Sequence, residues 1–286
     1  MTNDHHNAVP RRVGQVKEVT SLSNPIVKDI KALSNKKDRE QSGTFMAEGL
    51  KLVIDALELG WAIRTLVYAK AAKGKPLVEQ VAARTVAKGG LVLEVSEKVL
   101  SSITRRDNPQ MVVGIFEQRW TPLEDLRPSQ GMTYVALDRV RDPGNLGTII
   151  RTADAAGASG VILVGECTDP FSLETVRATM GSVFAVPLAR ATTEEFFAWQ
   201  KRSGAQVVAT HLAGAVDYRT VNYEKKPTVL LMGNEQSGLP EALAKSADRL
   251  VRIPQQGRAD SLNLAVATAV MLFEARRHLL KLEDAG

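Results

Sequence analysis

Residues 142–157 read DPGNLGTIIRTADAAG, with Asn145 in a first turn, Arg151 further along and Gly144 and Gly147 around them, a poor helix composition unless something approaches the backbone there. Asn offers a paired donor and acceptor, Arg a planar and permanently charged fork suited to phosphate, and glycine admits close approach. Two later stretches carry the same kinds of residue. GNEQSGLP, residues 233–240, brackets Asn234, Glu235, Gln236 and Ser237 with glycines. IPQQGRADSLNLAVATAVMLFE, from Ile253, places Ser261 and Asn263 at the mouth of an apolar helix. Taken singly, each is explained by turns and caps, with Asp260 or Ser261 as a helix N-cap. Three such stretches in one half-chain are not so readily explained.

The elements around them say where they sit. TYVALD, GVILVG, VFAVPLA, AQVVAT, TVLLMG and RLVRIP read as strands between helical segments, among them TEEFFAWQKRSG, LPEALAKSA and a long final helix from about Ser261 to Leu282. That alternation predicts a parallel sheet covered by helices. Ligands of such sheets bind beyond the carboxyl ends of strands, which is where the loops after TYVALD, TVLLMG and RLVRIP fall. The earlier half predicts a smaller αβ layer. Asn24 is placed as an N-cap, Pro25 as the first helical residue, and Ile26, Ile30 and Leu33 share a face. Strand and helix signals continue through TFMAEGLKLVIDALELG, IRTLVYA, KPLVEQVAARTVAKG, GLVLEVS and QMVVGIFE. The expected organisation is a disordered tail over 1–20, a first domain over 21–118, a polar, Pro-containing linker over 119–131 and a second domain over 132–286.

Composition narrows the class. Lys and Arg outnumber Asp and Glu by 20 to 15 before residue 131 and balance at 17 to 17 after it, so the whole basic surplus lies in the first part, which suggests a polyanion, nucleic acid first, as the partner of that part. The single cysteine, Cys167, excludes an internal disulfide framework and reads as a small buried or loop thiol. His5 and His6 stand in the polar start without neighbouring Cys or His, so no metal site is expected there. No apolar run is long enough to cross a bilayer and the start lacks an apolar export segment, which makes the cytoplasm the expected location. Neither G-x-G-x-x-G after a strand nor G-x-x-x-x-G-K-[ST] occurs, so the Rossmann and P-loop modes of nucleotide binding are set aside.

In order, spacing and content, DPGNLGTIIRTADAAG, LLMGNEQSGL and IPQQGRADSLNLAVA resemble the three motifs of the SpoU, or TrmH, family of RNA ribose methyltransferases in the SPOUT superfamily. The resemblance covers nearly all of residues 132–280. FMAEGLKLVIDAL and NPQMVVGI more loosely resemble the substrate-binding domain, related to a ribosomal protein fold, that many members carry first. It implies an α/β protein whose parallel-sheet domain forms a deep trefoil knot around S-adenosyl-L-methionine, contacted at Gly233, Ile253 and Leu262. It implies Asn145, Arg151, Glu235, Ser261 and Asn263 as catalytic positions acting on a ribose 2′-hydroxyl, with Gly144 and Gly147 clearing space for the ribose and its phosphate. Arg151 is read as a phosphate clamp rather than a base, because an arginine stays protonated. The implied substrate is structured RNA, 23S ribosomal RNA first and transfer RNA as the alternative, and pairing through the last helix implies a homodimer. A non-catalytic RNA-binding or ribosome-assembly protein of the same fold is the competing class, and a methyltransferase for a small molecule or a protein is a third.

Overall fold

The computed structural model describes residues 13–211, 216–259 and 261–282. They form two units, Met1–Gln118 and Arg119–Gly286. His5, His6 and Asp260 lie outside the described residues.

The first unit holds a mixed five-stranded sheet in the order β1-β4-β3-β5-β2, with β1 Gln15–Val19, β2 Thr44–Glu48, β3 Ile63–Ala69, β4 Leu91–Val95 and β5 Val112–Glu117. Helices α1 Pro25–Ala32, α2 Lys36–Ser42, α3 Leu50–Glu58, α4 Pro76–Ala87 and α5 Glu97–Thr104 connect them. The Asn24 side chain accepts a hydrogen bond from the Ile26 amide at 2.9 Å and Pro25 begins α1, as its sequence predicts. Phe45, Trp61 and Phe116 pack as a ring cluster at centroid separations of 5.9–6.5 Å. One expectation is corrected here. The tail does not run to residue 20, because Gln15–Val19 pair in parallel with Leu91–Val95. Only Val19 of that edge strand is buried, so its sequence carries no alternation that a core would impose.

The second unit is a seven-stranded, wholly parallel sheet in the order β10-β12-β9-β11-β6-β7-β8. Its strands are β6 Thr133–Asp138, β7 Gly160–Val164, β8 Leu188–Ala191, β9 Gln206–Thr210, β10 Val216–Asp217, β11 Thr228–Met232 and β12 Arg249–Arg252. Its helices are α6 Pro143–Ala155, α7 Leu173–Thr179, α8 Thr193–Ser203, α9 Glu241–Ser246 and α10 Leu264–Arg276. The earliest strand, β6, sits inside the sheet, with β7 on one side and β11 on the other. The chain runs outward from it in one direction and returns on its opposite side, and this reversal opens a crevice at the carboxyl ends of β6 and β11.

The stretch 119–131 is not a separate linker. The Thr121 amide bonds to the Leu188 carbonyl at 2.8 Å, Leu126 is buried in the second unit's core, and the Trp199 indole N–H donates to the Leu126 carbonyl at 2.9 Å. Polar composition hid a segment held by backbone bonds. The expected strand VFAVPLA begins instead with a 3₁₀ turn over Ser182–Phe184, and Pro187 precedes the shorter β8. The final helix is also shorter than expected, from Leu264 to Arg276. Arg276 ends it against α6: its Nε donates to the Ala156 carbonyl and Nη1 to the Gly131 carbonyl at 3.1 Å. Replacing Arg276 with alanine orphans both carbonyls, and by the usual worth of charged hydrogen bonds it should lower stability by about 2 kcal/mol, read as a loss of several degrees in melting temperature.

Candidate active site

Three strand ends deliver the polar residues. After β6, Arg139 takes a left-handed backbone (φ 47°) and Asp142 caps α6, its carboxylate accepting the Asn145 amide at 2.6 Å. That cap, with Pro143 at the first helical position, explains why a stretch containing two glycines is nonetheless a helix. After β11, the chain turns between Asn234 and Gly238, whose backbones exchange two hydrogen bonds of 3.0 Å, with Gly238 at φ 63°. After β12, Asn263 caps α10, its Oδ1 accepting from the Ala265 and Val266 amides at 2.9 and 3.3 Å. The cap expected at Asp260 or Ser261 is therefore Asn263.

These residues form one connected chain of hydrogen bonds. Asn263 Nδ2 donates to Asn145 Oδ1 at 2.9 Å, and Asn145 Nδ2 donates to Glu235 Oε1 at 3.4 Å. The Glu235 carboxylate also accepts the Arg141 and Asp142 amides at 3.3 and 3.4 Å. Asn145 thus places one N–H on the second stretch and one lone pair of its oxygen on the third, which fixes its amide orientation and leaves the other N–H and lone pair for a ligand. The assembly borders a cavity of about 530 Å³ whose lining includes Asn145, Gly233, Glu235, Ile253, Ser261, Leu262 and Asn263. Seven of the eight expected site residues therefore share one cavity. Ile253 and Leu262 are not core side chains, and Leu262 is 37% exposed.

The eighth, Arg151, does not line that cavity. It lies on the exposed surface of α6, six residues past Asn145 and about 9 Å further along the helix axis. The expected role of Gly147 is also corrected. A Cβ there would stand 2.4 Å from Ala178 Cβ and 2.6 Å from the Thr175 carbonyl oxygen, so Gly147 makes room for α7 and not for a ligand. Gly233 is a different case, because its Cβ would stand 2.5 Å from the Leu239 nitrogen, so the loop can fold back on itself only with glycine there.

Sequence reasoning passed over several residues of the site. Thr210 and His211, at the end of β9, line the cavity and come from a segment with no distinctive local signal, whereas Gln255 stands inside the third stretch without a role of its own being legible there. Asn234 was visible in its loop, but not its bond to the Arg139 carbonyl at 2.7 Å. Cys167 lies behind the first loop, its thiol directed at the Leu137 and Val164 carbonyls, and burial pushes it up to about 11. At pH 8 its thiolate fraction is then on the order of 10⁻³. Iodoacetamide should label Cys167 in the native protein roughly 100-fold more slowly than in the urea-unfolded chain, as followed by mass spectrometry.

Two family models match the chain, the SpoU rRNA Methylase family over residues 132–273 and the MRM3-like substrate binding domain over residues 24–114. The 23S rRNA (guanosine(2553)-2′-O)-methyltransferase RlmP of Bacillus subtilis is 32% identical over 261 residues, covering 91% of this chain and 100% of the relative. The chain belongs to the SpoU rRNA methylase family. A second member, the 23S rRNA (uridine(2479)-2′-O)-methyltransferase of Streptomyces viridochromogenes, is also 32% identical, covering 86% of each chain. The crystal structure of an AdoMet-bound rRNA methyltransferase from Sinorhizobium meliloti superposes with a TM-score of 0.90 at 76% identity, covering 93% of this chain and 99% of that one. The loops joined through Asn145, Glu235 and Asn263 carry the three stretches that resemble the family's motifs, and all three lie within the matched residues 132–273.

Proposed function

We propose that the protein transfers a methyl group from S-adenosyl-L-methionine to a ribose 2′-hydroxyl of 23S ribosomal RNA in the cytoplasm. The observation that carries this reading is the hydrogen-bonded chain Asn263–Asn145–Glu235 along one wall of the cavity, supported by relatives that match over most of their length and are named for 2′-O-methylation of 23S rRNA.

The lining suits the donor. Met232, Leu239, Val251, Ile253, Leu262 and Leu264 provide an apolar bed, and Gly233 leaves the main chain bare. Glu235 is the single carboxylate among the described lining residues and complements a positive sulfonium. When bound, S-adenosyl-L-methionine would supply an electrophilic methyl group, the carbon–sulfur bond breaking as the carbon–oxygen bond forms and the 2′-hydroxyl proton leaving to water. The protein's residues then act mainly by positioning. Asn145, held from both sides, presents a fixed amide edge to the ribose, and Ser261 with Asn263 completes the polar wall. Arg151, outside the cavity, is placed to grip a phosphate of the RNA. General acid–base help is typically worth about 10²- to 10⁴-fold, whereas alignment of two reactants can be worth roughly 7–11 kcal/mol, so a site built on alignment needs no strong base.

The first unit supplies RNA affinity. A cavity of about 620 Å³ in it is lined by Lys17, Lys88 and an Arg64–Glu117 ion pair, Glu117 being the only acid among its described lining residues, consistent with the basic surplus of the first half. The knotted path is part of the same reading, supported by α10, which follows the outlying β12 yet packs back on α6, β6 and β11. So is the homodimer, supported by Val266 and Phe273, which are 49% and 47% exposed on one stripe of α10. Light scattering should give twice the chain mass.

The deciding experiment is transfer of tritiated methyl groups from S-adenosyl-L-methionine to separated 23S rRNA, 16S rRNA and transfer RNA, followed by mapping of ribose methylation. Label in a single 23S nucleotide is the expected result. Label in transfer RNA alone would move the substrate to the alternative class, and donor binding without label in any RNA would favour the assembly-protein reading.

A further inference from the structure

We propose that Asn234 is a positioning residue, a latch by which the loop after β6 sets the shape of the donor-binding loop after β11. This rests on the reading that the 530 Å³ cavity receives S-adenosyl-L-methionine.

One side of the latch is a rigid platform. Arg139 takes a conformation unusual for a residue with a side chain, at φ 47°, and its own amide donates to the Val164 carbonyl at 2.9 Å. Its guanidinium straddles the carboxylate of Asp138, with Nε 3.0 Å from Oδ2 and 3.2 Å from Oδ1 and Nη2 2.8 Å from Oδ2. Asp138 is itself buried at the end of β6. The next residue is also tied down, since the Val140 carbonyl accepts the Thr168 amide at 2.8 Å. The Arg139 carbonyl is therefore held in one direction, and Asn234 Nδ2 donates to it at 2.7 Å.

The other end of the same amide organises the donor loop. Asn234 Oδ1 accepts from the Gln236 amide at 2.9 Å, the Ser237 amide at 3.1 Å and the Ser237 hydroxyl at 3.3 Å. Its backbone exchanges two bonds with Gly238, so one residue shapes the turn, and its Nδ2 moors that turn to β6. Gly233 before it and Glu235 after it both line the cavity. The two halves of one side chain thus have separable tasks, turn formation by the oxygen and docking by the nitrogen.

That separation makes the test. Asn234→Asp keeps the acceptor and removes the donor, setting a carboxylate against the Arg139 carbonyl, whereas Asn234→Ala removes both. S-adenosyl-L-methionine affinity is measured by calorimetry for native protein and both variants, with melting temperature, and with kcat and KM for the donor in methyl transfer. Loss of a half-buried partner of this kind should weaken donor binding by Asn234→Asp about tenfold, at a melting temperature near native, with the loss in KM exceeding that in kcat. Acidification returns a proton donor to the introduced carboxyl, so its affinity relative to native should rise as pH falls from about 6 toward about 4, the range of an ordinary aspartate, while the ratio for Asn234→Ala stays flat. Asp138, Arg139, Arg141, Asp142, Glu235, His211 and Arg252 are the charged or titratable groups around the loop and cavity, and taking each ratio to native at the same pH cancels their own titration.

Native donor affinity in Asn234→Asp, a loss confined to kcat, or identical pH-independent losses in both variants would each overturn the latch. If the native protein itself shows no donor binding, the reading of the cavity fails rather than the latch.

Discussion

Replacing Arg151 with alanine should lower methyl transfer to RNA by roughly 10²- to 10³-fold, the usual effect of deleting one positioned charge-stabilising donor, while donor affinity stays close to native. The structure sharpens the reason for the second half of that expectation. Arg151 does not line the cavity and lies on the exposed face of α6, away from the bed formed by Ile253, Leu262 and Gly233. Its fork is exposed to solvent and outside the lining of the cavity proposed for the donor. Because a guanidinium stays protonated, lysine in its place keeps the charge but not the two-pronged grip, and it should recover only part of the activity. Calorimetry with S-adenosyl-L-methionine and single-turnover transfer to rRNA separate the two quantities. Weak donor binding combined with normal turnover of the bound fraction would contradict this assignment.

Gly233→Ala should act in the opposite sense, on the donor first. Its new methyl carbon would stand 2.5 Å from the Leu239 nitrogen and 2.6 Å from the Gly238 carbonyl carbon, both backbone atoms that cannot swing aside as a side chain can. Overpacking of this kind costs about 1–3 kcal/mol, and because the clash lies within the loop, most of it should appear as a roughly 5- to 150-fold loss of donor affinity. Gly147→Ala provides the contrast. Its clash is with Ala178 and Thr175 on α7, so its cost should appear in melting temperature. If both variants lose only stability, the loop after β11 does not shape the donor site.

Much of the architecture was written locally. Asn24 and Pro25 mark the start of α1, and Asp142 and Pro143 mark α6, because caps are decided within three or four residues. The strands preceding the three motif stretches are legible as apolar runs, and the grouping of those stretches at one end of a parallel sheet follows from the rule for such sheets. Edge and irregular segments were not legible. Gln15–Val19 bury a single side chain, and Trp120 to Leu126 are held through backbone carbonyls and ring contacts that composition does not report.

By itself, then, the sequence determined which residues could do the chemistry and at which end of the sheet they would gather. Tertiary structure alone decided how they divide the work. The contact between Asn145 and Asn263 joins positions 118 residues apart, and the Asn234 bond to Arg139 joins positions 95 apart. The second exists because β11 pairs with β6 and the first because α10 packs back on α6, choices of neighbour made by the packing of the whole domain and not by any one element's own pattern. For the same reason Gly147 serves α7 and Gly233 serves the cavity, although in the sequence the two glycines look alike.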